Sequence, residues 1–365
     1  MPLGLVTAGE SHGPALVAIL TGLPAGLRLD RAAIDADLRR RQQGYGRSPR
    51  QQLETDAVEV LTGLRHGRTL GTPLTLVVRN ADHRNWPWGM SPWEPEGEPT
   101  GKGARPVTLP RPGHADLAGV LKYAHDDVRN ALERASARHT ATHVAAGAVA
   151  KALLGELGIT VRGRAVEIGG ATGDEGMRAA TDEARKAQDT LGGIVEVVAE
   201  GCPPGFGSYA EKADRLDARL AFALMGIQAV KGVEIGDGFA LARLRGSEAH
   251  DELDPGITRR TNRAGGLEAG MTNGEPVVVR AAMKPLPTLM KPLDSVDLAT
   301  GEPAQALVER SDVQAVEALA VVAEAAVAWE LARVALDKLG GDALADTVAA
   351  HRAYLARIAD RWQPR

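Results

Sequence analysis

The sequence predicts an α+β fold in which a helical layer is covered by sheets. Strand-like and helical runs do not alternate strictly along the 365 residues, which disfavours a doubly wound parallel sheet. The helical stretches at 134–157 and 313–339 are rich in Ala, Gly and Val, small side chains that let neighbouring elements approach closely. Aromatic residues make up only 3% of the chain while glycine occurs 42 times, so the core has to be built from Ala, Val, Leu and Ile.

A short apolar run at 3–6 reads as a strand and 16–20 as the next element. Asp30 has the character of an N-cap, opening a helix that places Ile34 and Leu38 on one face and ends before Gly44. Residues 57–78 alternate β-rich runs with glycine turns and suggest a hairpin. Residues 80–111, rich in Pro, Gly and Trp, lack periodicity and read as a long loop of the kind that often carries function. An Ala-rich helix spans 134–157 and stops at Gly158. Strands follow at 161–170 and 193–200, a helix at 214–225, glycine-punctuated strand to 244, and a strand at 275–282. A long helix at 313–339 closes on Gly340-Gly341, with a further helix before a polar end. No linker or charge run divides the chain, so one domain over 1–365 is expected.

The net charge of -4 argues against a general nucleic-acid binder, and the single cysteine, Cys202, excludes an internal disulfide or a cysteine-ligated metal cluster. No apolar run reaches the ~20 residues of a membrane span, and the first residues do not resemble a secretory leader. A cytoplasmic protein with neither membrane nor nucleic-acid partner is expected.

Several constellations carry chemistry. Gly9-Glu10-Ser11-His12-Gly13 presents a histidine between glycines that permit unusual dihedrals. Arg39, Arg40, Arg41, Arg47 and Arg50 crowd around Gln42–Gly46; they either complement a helix C-terminus or converge on a polyanion, since guanidinium forks bind phosphate and carboxylate bidentately. Arg111-Pro112-Gly113-His114-Ala115-Asp116 presents His114 on a turn, for proton transfer or merely bonded to Asp116. Arg134-Ala135-Ser136-Ala137-Arg138 opens a helix, with Ser136 as a cap or as part of an anion site. His139 and His143 have the spacing of a zinc pair, but no third ligand follows, and they read as surface or interface histidines rather than metal ligands. The glycines of Gly205-Phe206-Gly207 loosely suggest a dinucleotide loop, which Pro203-Pro204 disfavours. Lys284-Pro285-Leu286-Pro287-Thr288 is a stiff turn after a strand. Arg310-Ser311-Asp312 precedes the long helix, where Ser311 with Gln314 could form a capping box, or Asp312 beside an arginine could transfer a proton.

Taken together these strings resemble the chorismate synthase family: GESHGPALVAILTGLP (9–24), RRQQGYGR (40–47), RPGHAD, RASAR and VAAGAVAK, GIQAVKGVEIGDGF (226–239), GSEAHDE, residues 265–274 and RSD. The resemblance implies a β-α-β sandwich, helices between antiparallel sheets, assembled as a homotetramer. It implies a lyase that converts 5-enolpyruvylshikimate 3-phosphate to chorismate by 1,4-anti elimination of phosphate, requiring reduced FMN without net redox change. External flavin reductase would supply the flavin, with NADPH as an indirect reductant. By resemblance Arg41 and Arg47 match the family's anion-binding pair, associated with substrate and with NADP. His12 would assist the departing phosphate, His114 would stabilise the reduced flavin, and Asp312 would accept a proton. The FMN positions would be Arg134, Ala135, Ser136, Gln228, Ala229, Ala269, Lys284, Pro285, Leu286, Pro287, Thr288 and Arg310.

The chain departs from the family pattern at His139 and His143, where Glu and Arg are common, and at Ala269, where glycine is frequent. Gln314 and Glu317 replace a small residue or Cys and a Pro. The rival readings are a catalytically impaired paralogue that binds FMN or RNA, and an NADP-dependent oxidoreductase using the same cationic pocket.

Overall fold

Period-two burial builds two four-stranded antiparallel sheets, each apolar on the face turned to the helices. The computed structural model describes residues 1–47, 55–308 and 312–362. Sheet I has the order Gly4–Ala8, Ala15–Thr21, Leu74–Arg79, Val58–Thr62. In its second strand Leu16, Ala18 and Leu20 are fully buried, whereas Ile19 on the opposite face is exposed. Sheet II has the order Thr160–Ile168, Gly193–Glu200, Val277–Met283, Val230–Ile235. Val277, Val279 and Ala281 point inward, while Arg280 and Glu196 pair across neighbouring strands on the other face at 2.8 Å.

Between the sheets lies a layer formed chiefly by α1 (Arg31–Gln42), α4 (Thr140–Glu156), α6 (Leu216–Met225) and α8 (Val316–Leu339). α4 packs on sheet I and α8 on sheet II, and the two helices pack on each other, giving the α+β sandwich of sheet, helices and sheet that the sequence predicts. Glycine sets the spacing. A Cβ on Gly147 of α4 would lie 2.3 Å from the Ala325 Cβ of α8, and one on Gly163 of sheet II would lie 2.3 Å from the Ala320 carbonyl oxygen. Glu324, on the same face of α8, accepts from Arg40 of α1 (2.8 Å), Lys151 of α4 (2.6 Å) and the Gly163 amide (2.8 Å), tying three helices and a strand together.

Expected boundaries shift where side chains compete for backbone groups. Asp30 caps α1 through the Ala32 amide at 2.9 Å, as expected. The helix expected from 134 is instead interrupted: α3 (Arg129–Ala135) ends at Ser136, whose backbone is extended and whose hydroxyl accepts the Arg138 amide at 3.2 Å. A single 3-10 turn, Ala137–His139, leads into α4. α8 begins at Val316 rather than at 313, because the Gln314 side-chain oxygen accepts the Val316 amide at 2.6 Å and takes the capping role. The capping box expected from Ser311 and Gln314 does not describe this cap, and Ser311 itself lies outside the described residues. Helices α2 (Asp116–Tyr123) and α5 (Asp174–Lys186) were not anticipated; the inward stripe of α5, Met177, Ala180, Thr181 and Ala184, is short and set among charged residues. No helix among the described residues is long and apolar enough to cross a membrane.

The Gly147 contact yields a direct test. Alanine has the better helix propensity by ~1 kcal/mol, yet its methyl would force α4 and α8 apart, at a typical overpacking cost of about 1–3 kcal/mol. Gly147→Ala is therefore expected to lower the denaturant midpoint; a raised midpoint would refute close helix approach.

Candidate active site

Antiparallel pairing of Gly4–Ala8 with Ala15–Thr21 leaves residues 9–14 as a loop at the strand ends. Gly9 has φ +113°, and a Cβ there would meet the Ala15 carbonyl at 2.5 Å, so the turn requires glycine. The loop presents His12, which is buried. Its Nδ1 donates to Glu133 Oε1 at 2.8 Å, and its backbone amide donates to Glu133 Oε2 at 2.8 Å. The His12 ring stacks on Trp86 with centroids 4.1 Å apart, and His83 Nδ1 donates to the His12 carbonyl at 2.9 Å. Trp86 and His83 both come from the 80–111 loop, so that loop forms one wall of the site. Burial alone would raise the Glu133 carboxyl, but its bonds to His12 and the nearby Arg129 outweigh burial and hold it low.

The arginine cluster disperses into roles. Arg40 turns into the helical layer to meet Glu324, and Arg50 lies outside the described residues, so convergence of all the arginines on one anion does not occur. Arg41 is buried and donates to Asp56 Oδ2 at 2.7 Å. Arg138 meets the same carboxylate at 2.7 Å and also reaches Asn80 Oδ1 at 2.9 Å, whose amide nitrogen in turn donates to the Gly13 carbonyl at 2.8 Å. Arg41 is thereby tied to the His12 loop. Arg47 pairs with Asp312 at 2.8 Å, and both side chains are largely buried. Arg41 Nε and Arg47 Nε are buried and have no partner among the described residues. Such orphaned guanidinium donors suit an anionic ligand.

The His114 turn docks on the predicted flavin segment. His114 Nδ1 bonds Asp116, which also accepts from Arg111 Nε at 2.9 Å. Burial would raise the Asp116 carboxyl, but His114 and Arg111 outweigh it and keep it well below the usual range. Arg111 Nη1 donates to Thr288 Oγ1 at 3.1 Å, and Lys284 Nζ donates to the Gly113 carbonyl. The intervening Pro285, Leu286 and Pro287 hold these contacts apart, with the Leu286 carbonyl accepting from Thr190 Oγ1 at 2.8 Å.

Residues 134–139 lie between the two histidine turns, bonded to the His12 loop at one end and to Gln228 at the other. Ser136 Oγ donates to Ser11 Oγ at 3.1 Å, and Arg134, which Ala135 separates from Ser136, donates to the Gly9 carbonyl at 3.2 Å. Arg134 also lies close enough to His139 to disfavour its protonation. Gln228 Nε2 donates to His139 Nε2, and the Lys284 amide donates to the carbonyl of the adjacent Ala229 at 3.0 Å. Ala229 has φ +66°, a strained value for a residue with a Cβ. The Gln228 contact leaves the ring proton of His139 on Nδ1, which is buried and without a partner among the described residues. Arg134 beside this orphaned donor, with Lys284 on the Gly113 carbonyl, supplies the cationic and donor groups that a flavin phosphate and polar ring edge would need. His139 and His143 are half-buried with ring centroids 5.7 Å apart, and no group of three metal-ligating side chains occurs among the described residues. Ala269 stands apart, on the turn joining the short strands Leu267–Glu268 and Met271–Thr272; the next residue, Gly270, packs on Arg215 and Ser208. Arg310 lies outside the described residues. Phe206 of the glycine loop is a fully buried core residue.

Sequence reasoning did not single out Glu133, Trp86, Asp56 or Asn80. The Glu133 partnership spans 121 positions, and no local pattern signals it.

The family model described as chorismate synthase matches residues 3–336. A chorismate synthase of Rubrobacter xylanophilus is 53% identical, covering 98% of this chain and 98% of that protein. A chorismate synthase of Caldanaerobacter subterraneus is 50% identical over 97% of this chain and 98% of its own length. A crystal structure of chorismate synthase superposes with a TM-score of 0.77 at 37% identity, covering 98% of both chains.

Burial pushes the His139 imidazole down to about 4, with Arg134 and His143 adding to the effect. An unfolded histidine titrates near 6.5, so between these values the unfolded state binds the extra proton and folding weakens as pH falls. The wild type is expected to lose about 2 kcal/mol more stability than His139→Gln between pH 7 and 5. Parallel pH dependences of the two proteins would contradict this assignment.

Proposed function

The chain belongs to the chorismate synthase family of carbon–oxygen lyases, and from that premise we propose that it eliminates phosphate from 5-enolpyruvylshikimate 3-phosphate with reduced FMN as its flavin. The observation that carries this reading is that residues 134–139 bond the His12 loop and Gln228 while Lys284 and Thr288 bond the His114 turn, flanked by the orphaned donors of Arg41 and Arg47. The substrate carries two carboxylates and a phosphate, and FMN carries another phosphate. A cationic pocket in a chain of net charge -4 concentrates such anions.

Each residue has a role. Arg41 and Arg47 hold the anionic groups of the substrate, with Arg138 adding positive field through the shared Asp56. Glu133 fixes the His12 ring through Nδ1, and His12 delivers a proton to the departing phosphate from Nε2. Trp86 covers one ring face and keeps bulk water from it. Asp116 and Arg111 fix His114, which stabilises negative charge on the flavin. Asp312, oriented by Arg47, is the proton acceptor. Arg134, Ala135, Ser136, Gln228, Ala229 and residues 284–288 hold FMN, with Ala269 and Arg310 assigned by family position. These residues would hold reduced FMN, whose chemistry would be a transient electron given as phosphate leaves and returned as the ring hydrogen departs, with no net oxidation.

Assembly as a homotetramer follows from the family resemblance, and exposed apolar side chains are compatible with subunit contact. Leu121 of α2 is 74% exposed and Phe222 of α6 is 82% exposed, more apolar surface than a lone subunit gains from showing. A cytoplasmic setting with an external flavin reductase, NADPH acting only as its reductant, completes the reading.

Anaerobic turnover tests it. Chorismate should form with chemically reduced FMN and not with NADPH alone. His12→Ala should slow that turnover on the order of 100-fold or more, the scale of one general acid. Full activity of the variant would remove His12 from its role, and hydride transfer from NADPH without flavin would favour the oxidoreductase.

A further inference from the structure

The two departures from the family pattern at the start of α8 face the loop that carries Arg47. The Tyr45 amide donates to Glu317 Oε2, and Gln314 Nε2 donates to the Tyr45 carbonyl. Gln314 Nε2 also donates to Glu317 Oε2 at 3.0 Å, while its oxygen accepts the Val316 amide at 2.6 Å. Gln314 is fully buried, and both ends of its amide are used. The Val313 amide donates to the Gly46 carbonyl at 3.0 Å, and Arg47 pairs with Asp312 at 2.8 Å. Residues 44–47 and 312–317 therefore run together as a zipped pair whose far end is the Arg47–Asp312 ion pair.

The fit is close. Gly44 has φ +134°, and a Cβ there would lie 2.8 Å from Glu317 Oε2. From the other side, α5 holds the Tyr45 ring: the hydroxyl donates to Asp182 at 2.9 Å, and the guanidinium groups of Arg178 and Arg185 lie 5.6 and 5.3 Å from the ring centroid. Glu317 is also near enough to Arg47 to favour its charged form against burial.

We propose that Glu317 and Gln314 are positioning residues that clamp the Tyr45 backbone and so preorganise Arg47 for the anionic substrate. A long arginine side chain loses rotamer freedom when it binds, and a fixed loop removes part of that cost beforehand. The clamp rests on the proposed role of Arg47, and because Arg47 also orients Asp312 it acts on substrate affinity first and on proton acceptance second.

The test combines kinetics with hydrogen exchange on the full-length protein. Glu317→Ala should raise the KM for 5-enolpyruvylshikimate 3-phosphate about tenfold, with a smaller fall in kcat through Asp312, and should speed exchange of the Tyr45 amide. Glu317→Gln keeps an acceptor oxygen at the same reach and should restore both readouts to within about threefold of wild type. Gln314→Met, close in volume but unable to bond the Tyr45 carbonyl, should raise KM in the same direction. Unchanged KM in Glu317→Ala, or a glutamine variant as impaired as the alanine one, would overturn the clamp. A wild type that makes no chorismate would overturn the functional reading instead, and the Tyr45 exchange in the same three variants would still decide the clamp.

Discussion

The close approach of α4 to α8 is the constraint on which the site depends. Gly147 and Ala325 let the helices nearly touch, and Glu324 binds α1, α4 and α8 through Arg40, Lys151 and its neighbours. That spacing decides where three helix ends fall. Arg41 near the end of α1 reaches Thr140 at the start of α4, and Gly46 just beyond α1 bonds Val313 just before α8. The cationic side chains therefore gather at one edge of the helical layer because the small residues in its middle allow it.

Charge at that edge is arranged by carboxylates that are not themselves assigned to the reaction. Asp56 holds Arg41 and Arg138, Glu133 holds His12, and Asp116 holds Arg111 and His114. Each is buried, and each bonds more than one donor. A buried carboxylate with a single weak partner would be costly, whereas one that satisfies two donors fixes their geometry for a ligand. Neutralising Asp56 would leave two guanidiniums buried without their shared counter-charge, a loss that falls on the fold as much as on binding.

Much of this architecture was legible in the sequence. The Asp30 cap, most strands of both sheets and the glycine stop of the Ala-rich helix follow from local pattern, whereas the strand expected up to 244 ends at Ile235 and a 3-10 turn, Gly238–Arg243, takes its place. The motif strings located His12, His114, Arg41, Arg47 and Asp312. What local pattern could not supply was partnership across distance. Glu133 and His12, Asp56 and Arg138, and Gln314 and Tyr45 meet only after the layers close. Helix α5 was missed because most of its surface is polar, and Ser136, offered by the sequence as a cap, does accept the Arg138 amide, although the preceding helix α3 that it terminates was not expected.

A crystal structure of the protein with FMN and 5-enolpyruvylshikimate 3-phosphate bound tests the central claim most directly. The account predicts the substrate phosphate within hydrogen-bond reach of His12, anionic groups of the substrate on Arg41 and Arg47, and the flavin against Gln228, Lys284 and His114. A substrate bound away from His12, or a flavin seated on another face of the molecule, would contradict it.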